Sequence, residues 1–109
     1  MDDQTIKADA GKPRLSLVPM RRILYDCAEV REYGNSVYGD PEGWRRVEIQ
    51  RYIDALLRHT VAFAEDPLSI DRDSGLPHYK HMACNMAFIC DMMPEFMRQA
   101  DEGSLSDGV

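Results

Sequence analysis

The chain has no Cys-x-x-Cys pair: its three cysteines, Cys27, Cys84 and Cys90, are odd in number and unevenly spaced. That excludes a disulfide framework and a four-cysteine zinc fold, and reads the thiols as reduced and mostly buried. Long apolar runs are also missing. The longest, Met82 to Cys90, is broken by Asn85 and falls far short of the roughly 20 residues of a membrane span. The N-terminal MDDQTIKADAGK lacks the basic start and apolar stretch of a secretory signal, which predicts a cytoplasmic protein. There is no P-loop, dinucleotide fingerprint, nucleophile elbow or HExxH. Basic residues are scarce beyond Arg58, three against nine acidic, whereas up to Arg58 there are ten of each. With a net charge of −6, the balance excludes a duplex nucleic-acid partner and leaves a small phosphorylated ligand open to the first half of the chain.

What is present is one domain's worth of helix-forming sequence, 109 residues with 44% hydrophobic side chains. Residues 1–19, with Gly11, Pro13 and Pro19 among Lys12 and Arg14, read as an extended basic arm. The helical domain is expected over residues 20–99. A first helix is predicted from Met20 to Tyr33, with Met20, Ile23, Leu24 and Cys27 on its inner stripe and Gly34 as its stop. A turn-rich loop containing Tyr38 and Trp44 follows. A second helix is predicted from about Trp44 to Ala64 on Ile49, Tyr52, Ile53, Leu56, Leu57 and Phe63, closed by Asp66-Pro67. After an acidic surface connection, a third is predicted from Pro77 to about Met93 on Tyr79, Met82, Met86, Ile89 and Met93, ended or kinked by Pro94. A short helix through Gln99 and a disordered polar tail over 100–109 complete the expectation. The fold class is thus all-α, a small bundle of three main helices plus a short C-terminal one. Its wide apolar faces predict completion as a homo-oligomer.

Three constellations can carry chemistry. Glu29 and Glu32 lie three apart on one helix and can share a divalent cation, or simply face water. Glu48, Arg51, Asp54 and Arg58 form a row of alternating sign on the second helix. Intrahelical pairs of Glu48 with Arg51 and Asp54 with Arg58 explain it, as does a functional set in which Asp54 joins a metal while the arginines meet phosphate oxygens. His78, His81 and Asn85 fall within about 60° on a helical wheel, so they line a cleft or form a satisfied buried network. Zinc held by His78, His81 and Cys84 is a weaker alternative, because Cys84 points roughly 120° from His78. Trp44 and Tyr38 can stack on a base or cap the bundle. The seven methionines are packing for a helical core.

The segments GKPRLSLVP, VREYGNSVYGDPEGW, RRVEIQRYIDALLRH and DSGLPHYKHMACNMAFI, in that order, resemble a small phage and prophage family, the dATP/dGTP diphosphohydrolase N-terminal domain. That family is related to the MazG-like all-α nucleotide pyrophosphohydrolases. The resemblance covers about residues 7–92. It implies a Mg²⁺-dependent enzyme of a host-cell cytoplasm that splits purine deoxynucleoside triphosphates into monophosphate and pyrophosphate. Glu29 and Glu32 match the first acidic pair of such enzymes, and with Asp54 would hold metal. Glu48 would orient or deprotonate water, Lys12, Arg14, Arg51 and Arg58 would neutralise phosphates, and Trp44, His78, His81 and Asn85 would read base or sugar. For the second acidic pair, Asp54 fills the last place, but Arg51 stands three before it and Glu48 lies one turn too early. That departure leaves room for an alternative, a non-catalytic phage protein that sequesters a nucleotide signal of host defence.

Overall fold

The computed structural model describes residues 7–106, with side chains described through residue 103. Three helices make the fold: α1 from Met20–Tyr38, α2 from Ile49–Glu65 and α3 from His78–Ser106. Short 3-10 turns at Leu15–Leu17 and Gly43–Arg46 punctuate the connections. The class is all-α, with no strand among the described residues. The long α3 packs along both α1 and α2, which make no comparable contact with each other. That arrangement is open. The radius of gyration of 18.4 Å exceeds the roughly 13 Å of a compact chain this long.

Several helix ends differ from the sequence expectation. α1 runs through Gly34, because one glycine costs a helix only about 1 kcal/mol. It stops instead at Gly39, whose positive φ lets its N–H bond the carbonyl of Asn35 at 2.8 Å. α2 starts at Ile49, not Trp44: Val47 and Glu48 are extended, which separates the 3-10 turn carrying Trp44 from the helix. α3 passes Pro94 without ending and takes in the expected short helix and the start of the expected disordered tail. Proline removes one amide, but the next turns are tied by Arg98 to Glu95 and Glu102. Residues 107–109 of that tail and 1–6 of the arm lie outside the described residues.

The inner face of α1 is also different. Met20, Ile23 and Leu24 are exposed, while Asp26 is buried and Glu29 half-buried against α3. The cause is Lys80 of α3. Its ammonium lies 2.9 Å from the Glu29 carboxylate and 3.8 Å from that of Asp26, so this charged face turns inward and the methionine-isoleucine-leucine stripe outward. Among the described residues the buried set is Cys84 with the polar Asp26, His81 and Asn85.

The connection between α2 and α3 is more than a surface link. It folds into a tight loop closed by an antiparallel bridge between Ile70 and Pro77, with Asp71 N–H bonding Leu76 O and Gly75 N–H bonding Asp71 O. Ser69 anchors it by donating to the carbonyl of Ala62 on α2. Asp71 and Ser74 are thereby carried to the α2/α3 seam.

Candidate functional site

A cleft of about 590 Å³ opens over the N-terminal half of α3, walled by α1, the Gly43–Arg46 turn and α2. Four arginines line it, Arg31, Arg46, Arg51 and Arg58, against one acidic residue, Asp40. Asp40 is bonded by Arg46 at 2.6 Å, which holds its carboxyl below the usual range. Arg31 donates to the Pro41 carbonyl. Arg51 and Arg58 pair with no carboxylate among the described residues: Asp54, the expected partner of Arg58, instead accepts from Gln50 at 3.0 Å. Two arginines of one cleft wall without a carboxylate partner have the chemistry to meet phosphate oxygens.

Aromatic rings line the same space. Trp44 stacks on Phe88 at 4.5 Å and 17°, and the guanidinium of Arg45 lies 4.4 Å from the indole centre. Tyr52 packs on Phe88 and donates its hydroxyl to the Trp44 carbonyl at 2.7 Å, which locks the turn onto α2. The indole is therefore already engaged. Tyr38, at the end of α1 and 82% exposed, is the ring left open to a base.

Of the line His78, His81 and Asn85, the last two are buried and line the cleft, while His78 is half-buried and does not line it. Asn85 donates its amide to the His81 carbonyl at 2.8 Å. The third histidine, His59 of α2, stacks on His81 with centroids 4.4 Å apart and planes 8° apart. Its Nδ1 lies 2.8 Å from Nδ1 of His78. Burial, then the neighbouring His81, pushes the His59 pKa down to about 4, so this imidazole is neutral near pH 7. Burial likewise lowers that of His81 and outweighs the attraction of Asp71. Burial works to raise the Asp71 carboxyl but is outweighed by hydrogen bonds from Ser74, leaving it low and ionised. Cys84, 1% exposed, is pushed up to about 12 by burial and is a packed, protonated thiol.

The expected residues thus separate into groups. Arg51, Arg58, Trp44, His81 and Asn85 meet at the cleft. His78 lies against His59 behind it. Glu29 is held by Lys80, Glu32 is exposed on α1, and Asp54 is exposed on α2. Glu48 lines a different groove of about 800 Å³, between the start of α2 and Met92, Met93 and Phe96 of α3. Lys12 and Arg14 sit exposed in the arm and are not part of the cleft wall. Glu29, Glu32 and Asp54 do not converge on a shared cation position; the acid and histidine groups that do, among the described residues, are His59, Asp71 and His78. The sequence reading passed over Arg31, Arg46, His59 and Asp71. One signal was present for His59: it follows Tyr52 by seven residues, placing a histidine on the inner stripe of α2.

Fold and cleft together define an all-α protein with a cationic, aromatic-walled cavity suited to an anionic ring-bearing ligand. The chain belongs to the dATP/dGTP diphosphohydrolase N-terminal family, whose model matches residues 2–102. No curated protein and no solved structure matches it. No helix among the described residues is long and apolar enough to cross a membrane.

Proposed function

We propose that the cleft binds a purine deoxynucleoside triphosphate and that the protein hydrolyses it to the monophosphate and pyrophosphate, as the family's name suggests. The observation that carries this is that Arg51 and Arg58, with no carboxylate partner among the described residues, line one cavity with Arg31 and Arg46. In this reading the arginines hold the phosphate chain and neutralise charge as the leaving pyrophosphate departs. Tyr38 offers a face to the base, and Asn85 presents its amide oxygen, which has no other partner among the described residues. Water supplies the oxygen gained by the monophosphate. Glu29 is held by Lys80, and Glu29, Glu32 and Asp54 do not form a three-residue cation cluster among the described residues, so Mg²⁺ here would rest on one or two of these carboxylates together with the nucleotide's phosphates. No step is assigned to such an ion.

A second reading, sequestration of a nucleotide without turnover, is favoured by that same Lys80–Glu29 contact, which occupies an acid expected to serve catalysis. One experiment separates the two. The purified chain is incubated with a nucleotide panel, with and without Mg²⁺, and the mixture is chromatographed. Monophosphate and pyrophosphate are the expected products. Recovery of unaltered bound nucleotide would support sequestration, and no bound nucleotide at all would remove both. Self-association belongs to the same proposal, because Leu24, Met20, Phe96 and Met97 are each about half exposed or more.

A further inference from the structure

The geometry points to a divalent metal site built by His59, Asp71 and His78, taking a first-row transition cation such as Zn²⁺ rather than Mg²⁺. One ligand atom from each residue lies within 4.8 Å of the others, on three separate elements: α2, the closed loop and the first turn of α3. Two imidazoles and a carboxylate form a donor set suited to borderline cations, whereas Mg²⁺ prefers oxygens alone. Three protein ligands would leave the fourth tetrahedral position to water or another donor.

The two rings now share a hydrogen bond between their Nδ1 atoms, and a cation would take the place of that shared proton. In a tetrahedral site with Zn–N near 2.0–2.1 Å, ligand nitrogens sit roughly 3.3 Å apart. The two Nδ1 atoms are 2.8 Å apart, so the rings need part by only about half an ångström. The supports are in place as well. Asp71 is oriented by the Ser74 amide at 2.9 Å, and His78 N–H reaches Ser69 O across the closed loop. His81 is a positioning residue. Its ring lies flat on His59, and its Nε2 meets the Ser74 hydroxyl at 2.6 Å. Such outer partners commonly fix ligand orientation in metal sites.

His59 also lines the nucleotide cleft, so a cation held here would stand at its wall. The metal proposal does not depend on nucleotide binding and is tested without it. Chelator-stripped full-length protein is titrated with Zn²⁺ and with Co²⁺ in the absence of nucleotide. Expected are one cation per chain at about micromolar Kd or tighter, a visible Co²⁺ absorption of low coordination number, and no competition from millimolar Mg²⁺. His59→Gln and His78→Gln should each weaken Zn²⁺ at least about a hundredfold, and Asp71→Asn about tenfold. Glu32→Gln should leave Zn²⁺ affinity unchanged. Far-UV circular dichroism and a thermal melt check the fold of each variant, and Asp71→Asn carries the test where a histidine variant does not fold. The proposal is overturned if the stripped wild-type protein binds neither ion tighter than about 100 μM, or if a folded His59→Gln, His78→Gln or Asp71→Asn variant retains wild-type affinity. Nucleotide binding by the stripped protein is measured separately, so failure of one leaves the other standing.

Discussion

The two halves of α3 solve opposite problems. Its N-terminal half, His78 to Asn85, is covered by α1, α2 and the closed loop, and what it buries is polar: His81 and Asn85 beside the single apolar Cys84. Its C-terminal half shares only a groove with the start of α2, and what it exposes is apolar, with Phe96 49% and Met97 59% accessible. An ordinary bundle would reverse this. Buried polar groups persist only when partnered, and those of the first half are partnered by one another and by Ser74 and Asp71. Exposed apolar groups persist where something else covers them. On the proposed reading, one half serves a ligand and the other an interface between copies.

The sharpest break of this contrast is Asn85→Asp. A carboxylate in place of the amide would face the His81 carbonyl it now bonds, in a position 8% exposed. It should cost about 3 kcal/mol of stability, read from urea midpoints, and weaken nucleotide binding about tenfold or more. A variant as stable as wild type would show that the N-terminal half is more hydrated than its burial indicates.

Arg51→Ala and Arg58→Ala should each reduce nucleotide affinity about tenfold, the worth of a charge-assisted contact near 1.5 kcal/mol. Stability should move by less than about 0.5 kcal/mol, because neither guanidinium has a carboxylate partner among the described residues. Calorimetry that finds normal affinity in both would empty the cleft of its phosphate role.

In the other half, Phe96→Ser should change the unfolding free energy by less than about 1 kcal/mol, since the ring is half exposed. It should instead lower self-association, seen as a smaller mass by light scattering at micromolar concentration. A wild-type chain already monomeric there would remove the interface and leave the helix pairing intact.

The smallest effect concerns the charged face of α1. The Glu29 hydrogen bond, with further help from the charges of Glu29 and Asp26, holds the Lys80 ammonium above the ordinary lysine value of 10.5. A raised basic pKa stabilises the fold fully below the unfolded value, and that contribution is lost as pH rises through the folded one. Wild type should therefore lose stability relative to Lys80→Met as pH climbs past about 10.5, with their difference flat from pH 7 to 9. A difference that varies across pH 7 to 9 would assign the dependence to another group.

Much of the helical framework was legible because it is local. The 3.6-residue period of α2 and the polar line His78, His81, Asn85 need no partner to be seen; the helix forms, and of the line His81 and Asn85 are buried together while His78 turns to His59. Helix ends were less so. Gly34 and Gly39 are equally able to stop a helix, and the choice depends on which of them the following loop allows to reach positive φ. The inner face of α1 was misjudged because hydrophobic periodicity gives no weight to an ion pair with a residue 51 positions away, as Lys80 is from Glu29.

The sequence by itself determined an all-helical chain, its family, and a cation-rich first half against an acidic second. Those follow from composition, order and short-range spacing. Only tertiary structure decided which charges are neutralised by neighbours, so that Glu29 is tied to Lys80 while Arg51 and Arg58 have no carboxylate partner among the described residues. It alone brought His59, Asp71 and His78 within 4.8 Å of one another. Coulomb attraction and metal coordination act over a few ångströms of space, and no sequence interval measures that distance until the loop between α2 and α3 has closed.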